Sequence, residues 1–170
     1  MRPEPGTTSF RLASRWRLAA PPAAVWRLLR EVSAWPGWWR PNLLKVERLS
    51  DGDDLGLGQR DRFLWRGALP YRLAIDMETI AVEPRRRIVG RASGDLTGTG
   101  TWMLTPRAEG SELCYRWEVE LAKPWLRRIA RPFRALLAWN HHAVMRNGAQ
   151  GMARALGCSA VVYERLDGQR

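Results

Sequence analysis

The chain has 170 residues, 45% of them hydrophobic and 26% charged, which fits one globular domain with a sizeable core and excludes a disordered or fibrous chain. Net charge is +11, nearly all of it from arginine, since Lys45 and Lys123 are the only lysines. The arginines are spread over the chain without a recognition motif, so nucleic acid is not an expected partner.

The two cysteines, Cys114 and Cys158, have neither metal-ligand spacing nor a disulfide framework. The first residues lack the apolar run of a signal peptide, and no stretch is long and apolar enough to span a bilayer. A reduced cytoplasmic protein with no metal and no cofactor is the expectation. Ten tryptophans in one small domain imply a heavily aromatic core or an aromatic-lined pocket.

Residues 1–9 are polar and contain proline, and read as a tail. Phe10 to Leu18 alternates: Phe10, Leu12, Ser14, Trp16 and Leu18 take one face, and Arg11, Arg15 and Arg17 the other. That is a half-buried strand with one wet side. Pro21 and Pro22 open a helix over Ala23 to Val32, where a missing N–H costs nothing in the first turn. Pro36 and Pro41 then leave room only for a short helical turn.

Strands follow at Leu43–Ser50, Gln59–Arg66, Tyr71–Val82, Ile88–Ser93, Thr97–Pro106 and Glu112–Ala122, with turns rich in glycine, aspartate and proline between them. The alternation puts Asp61, Phe63 and Trp65 on one face, then Tyr71, Leu73, Ile75, Met77 and Thr79, and in the last strand Leu113, Tyr115, Trp117, Val119 and Leu121. A long amphipathic helix spans Pro124 to Leu156, with Pro132 interrupting its start. Its apolar stripe is Leu126, Ile129, Phe133, Leu137, Val144, Gly148, Gly151 and Ala155; Asn140 and Asn147 fall inside it, His141 on its flank, and Trp139, His142 and Arg146 on the other side. The segment 158–170 reads as a second tail, with a short extended piece at Ala160 to Tyr163, around a domain spanning 10–157. Consecutive strands with short turns make an antiparallel meander, and one helix is left to cover its inner face, so the fold class is α+β.

The inward side chains either fill a core or line a cavity beneath the helix. Small residues at Gly90, Ala92, Gly148 and Gly151 remove bulk and favour a cavity, with close helix–sheet approach as the alternative. A buried amide at Asn140 needs partners, and these are backbone groups, water or a ligand. His141 is a proton donor or acceptor at the stripe edge, or a satisfied boundary histidine. Asp61 is a carboxylate facing an apolar space, where its pKa would rise, or a strand-end aspartate in water; the solvated reading is the expected one. Asp95 suits a turn. The interleaving of arginine with Trp125, Phe133 and Trp139 leaves a transient contact with an anionic membrane open.

Pro21-Pro22-Ala23-Ala24-Val25-Trp26-Arg27-Leu28-Leu29, then Trp35-Pro36-Gly37-Trp38-Trp39 and Val46-Glu47, resemble the opening of the START-like, or SRPBCC, superfamily. Gly94 through Trp102, Asn140-His141, Val144-Met145-Arg146 and Gly148 extend the resemblance, more narrowly to the polyketide cyclase/dehydrase and lipid-transport proteins. It implies a helix-grip: a curved antiparallel sheet of about seven strands around a long C-terminal helix, with two short helices after the first strand and a cavity between. The iron–sulfur ligands of the related hydroxylase subunits are absent. The function implied is binding of a hydrophobic small molecule such as a lipid, isoprenoid or polyketide-like compound, with a cofactor-independent cyclase or aromatase as the alternative. The expected ligand contacts are Trp65, Tyr71, Met77, Tyr115, Trp117, Phe133, Leu137, Asn140, His141 and Val144; the catalytic candidates are His141, Asp61 and Tyr115.

Overall fold

The structure is a computed structural model and describes residues 9–122, 128, 130, 132–158 and 161–167. Strand β1 (Ser9–Leu18) leads into α1 (Pro22–Arg30), a 3-10 turn (Val32–Ala34) and α2 (Trp35–Trp38). Then come β2 (Leu43–Ser50), β3 (Arg60–Arg66), β4 (Arg72–Glu83), β5 (Arg87–Gly94), β6 (Leu96–Arg107) and β7 (Gly110–Leu121), followed by α3 (Arg134–Ala155) and β8 (Val161–Arg165). The strands form one antiparallel sheet in the order β2-β3-β4-β5-β6-β7-β1-β8.

The local reasons match the sequence reading. In β1, Phe10, Leu12, Ser14, Trp16 and Leu18 are buried, as the alternation requires. Pro22 starts α1 directly after an extended Pro21, and Arg27 and Arg30 stand in its last turn, where the helix dipole favours cations. Register shifts between Leu43 and Lys45, and between Thr79 and Ala81, bend the sheet and let it curve around α3.

One end of the molecule is closed by indole packing. Trp16, fully buried, meets Trp39 at 5.7 Å and Trp102 at 5.2 Å between ring centroids. Trp35, Trp38 and Trp39 pack on one another, and Trp39 Nε1 donates to the Val144 carbonyl at 2.9 Å. Here the glycines of α3 serve close approach. A Cβ on Gly151 would lie 1.8 Å from the Trp38 carbonyl oxygen, and one on Gly148 would lie 2.3 Å from the Trp39 ring.

Two expectations need correction. The segment after Gly157 is not wholly a tail: Val161–Arg165 pairs with β1 as the edge strand. Its placement follows from the open hydrogen-bonding edge of β1, which β7 covers on one side only. His142 does not face away from the core. It is buried between α3 and the β8 segment, with Nδ1 2.5 Å from the Tyr163 hydroxyl and Nε2 2.7 Å from Asp167 Oδ2. As expected, Pro132 interrupts the start of the last helix: Arg128 and Ala130 are helical, Pro132 and Phe133 form a turn, and the long helical segment runs from Arg134. Leu126 and Ile129 of the expected stripe, Trp125, and Ala160 of the expected extended piece lie outside the described residues.

Candidate ligand cavity

Between the inner face of the sheet and α3 lies a cavity of about 710 Å³. The inward positions of the strands line it: Asp61, Phe63 and Trp65 from β3, Leu73, Ile75, Met77 and Thr79 from β4, Ile88 and Gly90 from β5, Gly100 and Trp102 from β6, and Tyr115, Trp117 and Val119 from β7. Helix α3 contributes Leu136, Leu137, Asn140, His141, Val144 and Met145, with Phe133 just ahead of it. All ten expected contact residues therefore border one space, and so does Asp61. Asn147 does not; its amide donates to Asn42 Oδ1 at 2.9 Å, at the start of β2. Phe133, Leu136 and Pro70 border the cavity while exposed to solvent, which marks the mouth between the β3–β4 loop and the start of α3.

Asn140 has its partners within the protein. Its Oδ1 accepts from the backbone N–H groups of Ala68 at 2.7 Å and Leu69 at 3.2 Å, and Nδ2 donates to the Tyr71 hydroxyl at 3.2 Å. The amide thus clasps the β3–β4 loop to α3. Gly67 makes this clasp fit, since a Cβ there would sit 2.3 Å from Asn140 Oδ1. Burial pushes the Tyr71 phenol pKa up, opposed by the Asn140 bond.

His141 has no such partner: its Nε2 is buried with no hydrogen bond among the described residues. Burial, with the neighbouring His142 adding to it, lowers its pKa to about 3, so the imidazole is neutral at physiological pH. Tyr115 packs against Trp102 at 4.3 Å and stacks on Trp117 at 5.8 Å. Burial pushes its phenol pKa up, with no hydrogen bond opposing the shift.

Asp61 corrects the expectation of a solvated strand end. It is only 4% exposed. Oδ1 accepts from Arg48 Nε at 2.5 Å and Oδ2 from Gln59 Nε2 at 2.6 Å. The pairing follows from register: Arg48 is directly opposite Asp61 on the neighbouring strand. Asp95 keeps a turn role, accepting from Ala74 N–H at 3.0 Å. Among the described residues no group of three or more His, Cys, Asp or Glu side chains could hold a metal ion.

Several lining positions were not anticipated: Leu69 and Pro70 of the β3–β4 loop, Trp35 and Trp39 from the α2 region, and Gly100 with Trp102 on β6. Gly100 and Trp102 were legible in principle, since they alternate in phase along β6; the loop was not, because Gly67 and Pro70 read only as strand breakers.

Residues 9–157 of the chain match one family model, polyketide cyclase/dehydrase and lipid transport. The chain belongs to that family. Solved structures carry the same fold. TTHA0849 from Thermus thermophilus superposes with a TM-score of 0.65 at 21% identity, covering 86% of this chain and 98% of that one. The Zhui aromatase/cyclase from Streptomyces sp. R1128 gives 0.64 at 19%, covering 87% and 94%. A START superfamily protein from Mycobacterium smegmatis gives 0.65 at 14%, covering 89% and 97%. No curated protein matches the sequence. Membership in the polyketide cyclase/dehydrase and lipid-transport family implies a cavity for hydrophobic ligands, which is the chemistry of this lining. Among the described residues no helix is long and apolar enough to cross a membrane.

Proposed function

We propose that the protein binds a hydrophobic small molecule, of the lipid, isoprenoid or polyketide-like kind, in the cavity between sheet and α3. The observation that carries this is a space of about 710 Å³ bordered mainly by aromatic and aliphatic side chains, with few polar groups. Ligand pockets have this size and make-up. The ligand enters by the mouth between the β3–β4 loop and Phe133. Native mass spectrometry of the purified full-length protein tests it: a co-purifying mass in the lipid or polyketide range is expected, lost on delipidation and restored on re-addition. Delipidation with no change in mass, and no uptake of a neutral fluorescent hydrophobe, would sink the reading.

One observation favours a second reading, a cyclase or aromatase. A neutral, unpartnered imidazole at His141 is suited to move a proton on a carbonyl substrate folded in the cavity, with Tyr115 as a hydroxyl to polarise it. A loss of turnover on a polyketone in His141→Ala that far exceeds its loss of ligand affinity is the result expected of the enzyme. Exposed Phe133, Leu136 and Trp139, with exposed Arg134 among them, also support a transient contact of the mouth with an anionic membrane. Co-sedimentation with anionic but not neutral vesicles is the expected result.

A further inference from the structure

Among the described residues two charged side chains border the cavity, Asp61 and Arg30, and each is held by other parts of the protein. Asp61 has both oxygens engaged, one by the Arg48 guanidinium and the other by the Gln59 amide. The second charged lining residue is Arg30. Its guanidinium donates to the carbonyl of Leu55 and packs against Gly56, in the loop between β2 and β3. Leu55 is exposed, and Arg30 also borders a surface depression with Glu31 and Asp54. The stem of Arg30 therefore faces the cavity while its head reaches the water side, the usual behaviour of a long cationic side chain at an apolar boundary. Among the described residues the one cation bordering the cavity is Arg30, whose head is held at the β2–β3 loop, and the one carboxylate, Asp61, is already paired. Burying an unpaired charge is costly.

Polar groups do remain, among them His141 and Tyr115. His141 Nε2 is buried without a partner among the described residues, and no hydrogen bond offsets the burial of the Tyr115 phenol. Asn140 is not another, because the β3–β4 loop occupies its oxygen and Tyr71 takes its amide nitrogen. A neutral imidazole offers one donor and one acceptor, and a phenol can act either way. Both suit an oxygen that carries no charge.

We propose that the cavity selects an uncharged, mainly hydrocarbon ligand whose polar part is a hydroxyl or carbonyl oxygen held by His141 and Tyr115. The inference rests on the ligand-binding reading and narrows it, setting ionised fatty acids, phospholipid head groups and amines outside the cavity.

The test is displacement of the neutral fluorescent hydrophobe N-phenyl-1-naphthylamine from the delipidated full-length protein, by dodecanol, dodecanoate and dodecylammonium at neutral pH. Added salt screens attraction of the anion to surface arginines. Dodecanol is expected to displace the probe at a concentration roughly tenfold or more below either ion, a difference on the order of one decade of affinity. Equal or better displacement by dodecanoate or dodecylammonium overturns the charge selection and leaves ligand binding standing. Failure of the probe and of all three competitors to bind overturns both. Tyr115→Phe and His141→Leu remove the two oxygen-binding groups without opening a hydrogen bond elsewhere. Each is expected to weaken dodecanol by about three- to tenfold more than it weakens the probe, the effect of one lost hydrogen bond. Unchanged dodecanol affinity relative to the probe in both variants overturns the assignment of His141 and Tyr115.

Discussion

His141 projects from α3 into the cavity wall, and His142, the next residue, points into a polar clasp behind the helix. The two differ because only one has partners. His142 satisfies both ring nitrogens in a single neutral tautomer, donating from Nε2 to Asp167 and accepting at Nδ1 from Tyr163. Burial lowers the pKa of both rings, that of His141 from the usual 6.5 to about 3. The sign of the stability effect follows. Between 6.5 and about 3 the unfolded chain binds a proton at residue 141 that the folded chain refuses, so acidification favours unfolding. Asp167 is held low despite its burial, by Ala13 N–H, His142 and Arg165. Glu112 is held low despite its burial, by Arg107 and its arginine neighbours. Their contribution is lost as pH falls through their folded pKa values, so they act in the same direction. The melting temperature is therefore expected to fall steadily below pH 6.5, and His141→Leu should flatten the upper part of that slope. In NMR titration of the folded protein, the His141 ring signals should stay constant from about pH 7 down to the onset of acid unfolding; a midpoint near the unperturbed value of roughly 6.5 would refute the burial argument.

At the scale of elements, α3 is fixed by two contacts of opposite character. Toward its C-terminal end it touches α2 almost backbone to backbone. Gly151→Ala should cost about 1–3 kcal/mol, because a methyl 1.8 Å from the Trp38 carbonyl forces the helix away. Thermal denaturation measures this, and an unchanged midpoint would mean that the helices are farther apart. Toward its other end, α3 holds the β3–β4 loop by the Asn140 side chain. Asn140→Ala leaves two backbone donors of the loop without their acceptor, with an expected loss of about 1–3 kcal/mol. Amide hydrogen exchange should accelerate at Ala68 and Leu69 and remain slow in β7. These two contacts also separate what the sequence could and could not convey. Alternation in β1, β3, β4 and β7 assigned faces correctly, because side-chain period in a strand is a local property. Gly148 and Gly151 were read as making room for a cavity and instead allow close approach, which only the position of Trp38 and Trp39 decides. The partners of Asn140 were hidden for the same reason: Ala68 and Leu69 lie 72 and 71 residues away along the chain. Asp61 was assigned to water because its cross-strand neighbour Arg48 depends on register, which the pattern of one strand does not contain.

The whole molecule divides into a dense end and a hollow end. Tryptophans from β1, β6 and the α2 region fill the first, while the second encloses about 710 Å³ beneath the first half of α3. Protein interiors are close-packed, and unfilled apolar space forfeits contacts that a filled core would have. Occupying that space should therefore stabilise the fold, whether a ligand or a larger side chain does it. Val144 is suited to the experiment. It borders the cavity from α3, is only partly buried, and contributes its carbonyl, not its side chain, to the Trp39 hydrogen bond. Val144→Trp should hold or raise the melting temperature of the delipidated protein and abolish uptake of a neutral fluorescent hydrophobe. A ligand acting on the wild-type protein should raise stability by about 2.7 kcal/mol at a hundred times its dissociation constant, and that gain should disappear in the variant. If the sheet and helix instead collapse together in solution, the indole would overpack a closed core, destabilising by about 1–3 kcal/mol. The two outcomes differ in sign, so one pair of melting curves, with and without ligand, decides whether the hollow end is a working cavity.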